Sequence, residues 1–270
     1  MPTLTGERLH IAVDDTYGAA GSNKSSYVTA KRRSHVAVLF PNDDALRMRV
    51  ALEELLDEVA TYLGEKPREF HFADIYNKRG VWAKLEGPQN LGLFELFAEL
   101  YGTHRWPVLI QTVDDYTVSD HPEIVALPQV DGLDPGDRQD LSLLFLALQI
   151  KVKFREVKPK LTLIVDEGIR PAGESFGTAF FRDWPYYEGY FASSAEEGLL
   201  QIADFVAFVI NRSTHIALKE KRTDTDLWLL DLVYRMNIDS DQLTRSTMRS
   251  DFSVGDFDEF MRQIRKKKGL

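Results

Sequence analysis

The chain has 270 residues, 44% of them apolar, with no cysteine and a formal net charge of −9. That length supports one large domain with a full core, and the missing cysteines exclude disulfides and thiolate metal sites. The acidic balance argues against a protein that coats nucleic acid through overall charge, while local basic patches stay compatible with contact to a phosphate chain.

No run approaches the ~18 apolar residues of a membrane-spanning helix. Residues Met1 to Arg8 lack the charged start and apolar stretch of a signal peptide. A cytoplasmic protein that does not enter membranes is expected.

In chain order, Leu9-His10-Ile11-Ala12-Val13 reads as a short strand stopping at Asp14-Asp15, with a Gly-, Ser- and Asn-rich loop from Thr16 to Ser26. A second strand is expected around Ser34 to Phe40. Asn42 or Asp43 then caps a long helix through Leu63, with Leu46, Val50, Leu55, Leu56 and Val59 near helical spacing. Glu69-Phe70-His71 follows Pro67, then a helix around Leu91 to Tyr101 and a strand from Trp106 to Val113 that ends at Asp114-Asp115. Thr117 to Gly136 reads as an irregular polar connection, and Asp137 opens an apolar helix through Ile150.

Leu161 to Val165 is the clearest strand and ends at Asp166-Glu167-Gly168; Tyr186 to Ala192 is a further strand. A helix from Gly198 to Ile210 is apolar on nearly every side with Asp204 in its middle, and another helix is expected near Asp226 to Met236. Strands interleaved with apolar helices indicate an α/β layered domain.

Asp204 needs a partner, because a buried carboxylate is costly unless neutralised, hydrogen-bonded or bound to a metal. Asp14-Asp15, Glu69 and Asp166-Glu167 supply other acids, several at strand ends, the usual location of an α/β active site. Hard divalent ions take several carboxylates plus water. Two such ions roughly 3.5–4 Å apart can promote phosphodiester cleavage. Asp is also common in turns, and a hydrogen bond to neighbouring backbone could satisfy Asp204. Gln201, three residues before Asp204, shares its face and could orient it, contact the substrate or simply pack.

These segments resemble the "domain of unknown function 3800" family of the ribonuclease H-like superfamily. The family pattern is a strand ending in Asp-Glu-Ser-Gly, a Glu-x-His segment, a strand ending in Asp, and a late helix reading Leu-Gln-x-Ala-Asp. Here the order is Asp14-Asp15-Thr16-Tyr17-Gly18, Glu69-Phe70-His71, Asp166, and Leu200-Gln201-Ile202-Ala203-Asp204. Asp15 stands where the family carries Glu, and Thr16 where it carries Ser.

The resemblance covers roughly residues 9 to 212 and implies a ribonuclease H-like mixed central sheet flanked by helices. That domain would span 1–215, with helical insertions near 42–105 and 115–155. A C-terminal helical extension with a basic tail would follow over 216–270. It implies metal-ligand roles for Asp14, Asp166 and Asp204, with Mg²⁺ or Mn²⁺ as cofactor. Glu69 becomes a fourth acid or proton-transfer group and His71 a shuttle or a hydrogen-bond partner behind the ligands, so the catalytic set is Asp14, Glu69, His71, Asp166 and Asp204.

The expected function is a divalent-metal-dependent nuclease hydrolysing RNA, DNA or a hybrid. The alternative is a non-catalytic interaction protein or subunit that retains the fold and joins a protein partner or a homodimer. A haloacid-dehalogenase-type phosphatase needs Asp-x-Asp after the first strand, whereas Asp14 and Asp15 are adjacent. No P-loop is present.

Basic groups are read as candidate phosphate contacts: Lys31-Arg32-Arg33; Lys151, Lys153 and Arg155; Arg79, Lys84 and Arg105; and the tail from Arg262 to Lys268. Terminal charge runs of that kind are usually disordered and solvated. Trp184, Tyr186, Tyr187, Tyr190 and Phe191 could stack on unpaired bases or serve as core.

Overall fold

Alternation of side chains along the strands divides the core into two layers. The computed structural model describes residues 8–17, 25–243, 248–249 and 251–270. Five strands, β1 (Arg8–Tyr17), β2 (Arg33–Pro41), β3 (Val108–Val113), β4 (Lys160–Asp166) and β5 (Tyr187–Ala192), form one sheet in the order β3-β2-β1-β4-β5. The pairs β1–β2 and β2–β3 are antiparallel, and β1–β4 and β4–β5 are parallel.

Ala12, Val36, Val38 and Ile164 point to one face, where helices α1 (Asn42–Leu63), α3 (Gln89–His104), α6 (Gly198–Ala217) and α7 (Asp224–Met236) pack. Leu9, Ile11, Val13, Leu163 and Val165 point to the other, against α5 (Arg138–Lys153) and the aromatic segment Phe176 to Trp184. Both faces are covered, which is why the central strands read as almost continuous apolar runs. Short helices α2 (Phe72–Asn77) and α4 (Asp115–Asp120) and the C-terminal α8 (Val254–Lys267) complete the fold. Among the described residues no helix is long and apolar enough to cross a membrane.

The helix boundaries have local causes. Asp137 accepts from the Gln139 and Asp140 amides at 2.8 and 3.1 Å and so caps α5. Gly64 ends α1 at φ 71°, a left-handed conformation that glycine adopts without a Cβ clash, and its amide returns to Ala60 O at 2.9 Å. Glu197 caps α6 through the Leu199 amide and also takes a bidentate pair from Arg49 of α1.

Several expectations need correction. β1 does not stop at Asp14-Asp15 but continues to Tyr17, because β2 pairs with it as far as Tyr17↔Arg33. Gly18 and the loop residues to 24 lie outside the described residues. In α1 the buried stripe is Ala45, Met48, Leu52, Leu56, Val59 and Leu63, whereas Leu46 and Val50 are 55% and 59% exposed. The connection 117–136 contains most of α4 and a 3-10 turn, Pro122–Ala126.

Lys151 and Lys153 sit in the last turn of α5, and Lys151 pairs with Asp183. Lys84 is held by Glu65 and Leu63 O, and Arg105 ends α3 in a left-handed conformation. The residues from Arg262 to Lys267 are helical, with Arg265 bonded to Asp120 and stacked over Tyr116. Trp184 and Phe191 are buried core, and the Tyr187 hydroxyl donates to Phe176 O at 2.6 Å.

Candidate active site

Parallel register brings the first two acids together. Val13 pairs with Val165 at the end of the β1–β4 ladder, so Asp14 and Asp166 are the next residues on neighbouring strands. Ala12 and Ile164 face the α6 layer, and alternation sends Asp14 and Asp166 the same way. Asp15 faces the α5 layer instead, where the Gln139 side-chain amide donates to it at 3.0 Å.

The middle of α6 supplies Asp204, and the segment 69–72 is laced to that helix. Asp204 Oδ2 accepts from the Phe72 amide at 2.9 Å, and Gln201 Oε1 from the Phe70 amide at 3.2 Å. Gln201 Nε2 then donates to Ser194 O at 2.8 Å, just beyond β5. Gln201 is thus committed to backbone, and one Asp204 oxygen is satisfied as an ordinary buried carboxylate would be. Phe70 and Phe72 anchor the segment from below, packed edge-on against Phe97. Glu69 accepts a hydrogen bond from the Ser194 hydroxyl, and His71 Nδ1 meets Asp74 Oδ2 at 3.0 Å.

The carboxylates act on one another. Burial, then the charges of Asp204, Asp166 and Asp15, hold Asp14 well above the usual carboxylate range. Burial also pushes Asp166 up to about 6, with Asp15, Glu167 and Glu69 adding to it against the Gly168 amide. Asp204 is pushed up to about 7 by burial, Glu69 and Asp166, against the Phe72 amide and His71. For His71, burial lowers the pKa, but the Asp74 hydrogen bond and the charges of Asp204, Asp74 and Glu69 outweigh it and raise it. All five residues expected in the catalytic set therefore share one electrostatic neighbourhood. Among the described residues no lysine or arginine forms an ion pair with Asp14, Asp166 or Asp204.

The donor chemistry suits a hard divalent cation: oxygen ligands only, and like charges whose repulsion a cation would relieve. The spacing is wider than a closed ligand set, because among the described residues no three His, Asp or Glu side chains stand close enough to hold an ion as they are.

Sequence reasoning missed Ser194 and Asp74, which orient Glu69 and His71. Asp74 was reachable, since it lies three residues after His71 at a helix start. Ser194 was not, because its bond to Glu69 spans 125 positions. Comparison with protein families, with curated proteins and with solved structures returned no match for this chain.

Proposed function

We propose that this chain is a divalent-metal-dependent nuclease that hydrolyses phosphodiester bonds of RNA, DNA or a hybrid. The supporting observation is the gathering of Asp14, Asp166 and Asp204 from β1, β4 and α6 with no lysine or arginine ion pair among the described residues. The ribonuclease H-like resemblance of the same motifs agrees with a mixed five-stranded sheet flanked by helices. Asp14, Asp166 and Asp204 would hold Mg²⁺ or Mn²⁺. When bound, the ion neutralises phosphoryl charge and lowers the pKa of water.

The chain's own groups do the rest. The Phe72 amide fixes the Asp204 carboxyl, and the Ser194 hydroxyl fixes Glu69. His71 has Nδ1 tied to Asp74 and a side chain 48% exposed, which leaves Nε2 to exchange a proton with substrate or water.

Labelled single-stranded, double-stranded and hybrid substrates, each with Mg²⁺, Mn²⁺ or EDTA, test the reading. Cutting should require metal and fall to background in the double variant Asp14→Ala/Asp204→Ala. Undiminished cutting by that variant would sink it. The wide acid spacing favours one alternative, a non-catalytic subunit that retains the fold. Calorimetry that finds neither divalent binding nor cleavage in the folded wild type would select that alternative.

A further inference from the structure

Beyond the carboxylates, α6 carries a second polar group that the nuclease reading does not use. Asn211 and His215 lie seven and eleven residues after Asp204, spacings that return to the same helix face. Arg32, from the Lys31-Arg32-Arg33 run before β2, reaches Asn211 Oδ1 at 3.4 Å. Arg212 lies over the Tyr76 ring, 5.0 Å from its centroid, and points one amine at the Tyr76 hydroxyl at 3.4 Å.

Two atoms of this group are buried and have no hydrogen-bond partner, Arg212 Nε and His215 Nε2. Neither Arg32 nor Arg212 has a carboxylate in ion-pair contact among the described residues. Asp114 acts on Arg32 only at a distance, and its side chain caps α4 through the Thr117 amide. Partly buried guanidinium groups without a carboxylate are unfavourable in an empty site and favourable in one that receives an anion.

We propose that Arg32, Arg212 and His215 form a binding site for a phosphate group, separate from the carboxylate cluster. Planar guanidinium forks suit a phosphate oxyanion. His215 lies within reach of both charges: burial, with the positive charges of Arg32 and Arg212, drives its pKa down to about 4, so it stands beside them as a neutral imidazole. Asn211 stands about 10 Å along the helix axis from Asp204. That spacing lets one strand lay one phosphate on the acids and another on the arginines. Assigning the phosphate to a nucleic-acid strand rests on the nuclease reading; anion binding itself does not.

The test is fluorescence anisotropy of a labelled single-stranded pentanucleotide on the full chain in EDTA, with inorganic phosphate as competitor. Wild type should bind and phosphate should compete. Arg32→Met and Arg212→Met should each weaken binding about tenfold or more. Each should also lower the salt dependence by about one unit of slope.

Wild-type affinity in both variants, or no binding by wild type, overturns the site. Should the Met variants melt early, Arg32→Lys and Arg212→Lys replace them. Loss of the planar fork still lowers phosphate affinity severalfold, and unchanged affinity overturns the proposal. Binding in EDTA with no cleavage in Mg²⁺ or Mn²⁺ keeps this site and removes the nuclease reading. Cleavage lost in Asp204→Asn, with both arginine variants binding as wild type, does the reverse.

Discussion

Asp204 carries a structural and a chemical demand on one carboxyl group. Its Oδ2 holds the Phe72 amide, yet burial beside Glu69 and Asp166 lifts its pKa from 3.8 to about 7. Between those values the folded chain keeps a proton that the unfolded chain has released, so the metal-free protein loses stability as pH rises through that window. The penalty is absent below the lower value and complete above the upper one. Asp204→Asn keeps an acceptor for Phe72 and removes the charge. At pH 8 the metal-free variant should melt about 3–8 °C above wild type, and the gap should close near pH 4. Equal melting at pH 8 would show that the buried charge is not a liability. The same variant should lose cleavage, the usual exchange of stability for function at such a site.

Helix α6 ties the site to the rest of the structure. It packs on β1 and β2, borders α1 and α7, and fixes segment 69–72 through Gln201 and Asp204. Gln201→Ala leaves the buried Phe70 amide and the half-buried Ser194 O without this partner. It should cost about 1–3 kcal/mol in denaturant unfolding and also reduce cleavage by freeing Glu69. Retained stability with full activity would mean that the segment is held by Phe70 and Phe72 packing alone. Glu197 serves the other end of the helix, where it caps the Leu199 amide and pairs with Arg49. Glu197→Ala removes both contacts and leaves Arg49 unpaired at 29% exposure. A loss of about 2 kcal/mol is expected, below the fully buried range because Arg49 keeps some water.

For the molecule as a whole, a cation that binds only the folded state must stabilise it. At a hundred times its dissociation constant Mg²⁺ or Mn²⁺ should add about 2.7 kcal/mol, and Asp14→Asn and Asp166→Asn should lose most of that increment. Thermal melts with and without metal measure it directly; a wild-type melting temperature indifferent to both ions would count against the carboxylates as ligands. Much of the architecture was legible from local pattern. The apolar strand runs, the Asp137 cap and the solitary acid of an apolar helix identified the layers and most of the acids, because strand and helix periodicity and capping are short-range properties of the chain.

The sequence alone therefore determined the α/β layering and the order of the acidic motifs. Tertiary structure decided what those residues meet. The parallel register set Asp14 beside Asp166, the packing of α6 spent Gln201 on backbone, and the turn of α1 left Leu46 and Val50 in water while burying Ala45 and Met48. Arg32 likewise came to Asn211 across 179 positions. Pairings of that length depend on how all the layers close together, and no local window of residues contains them.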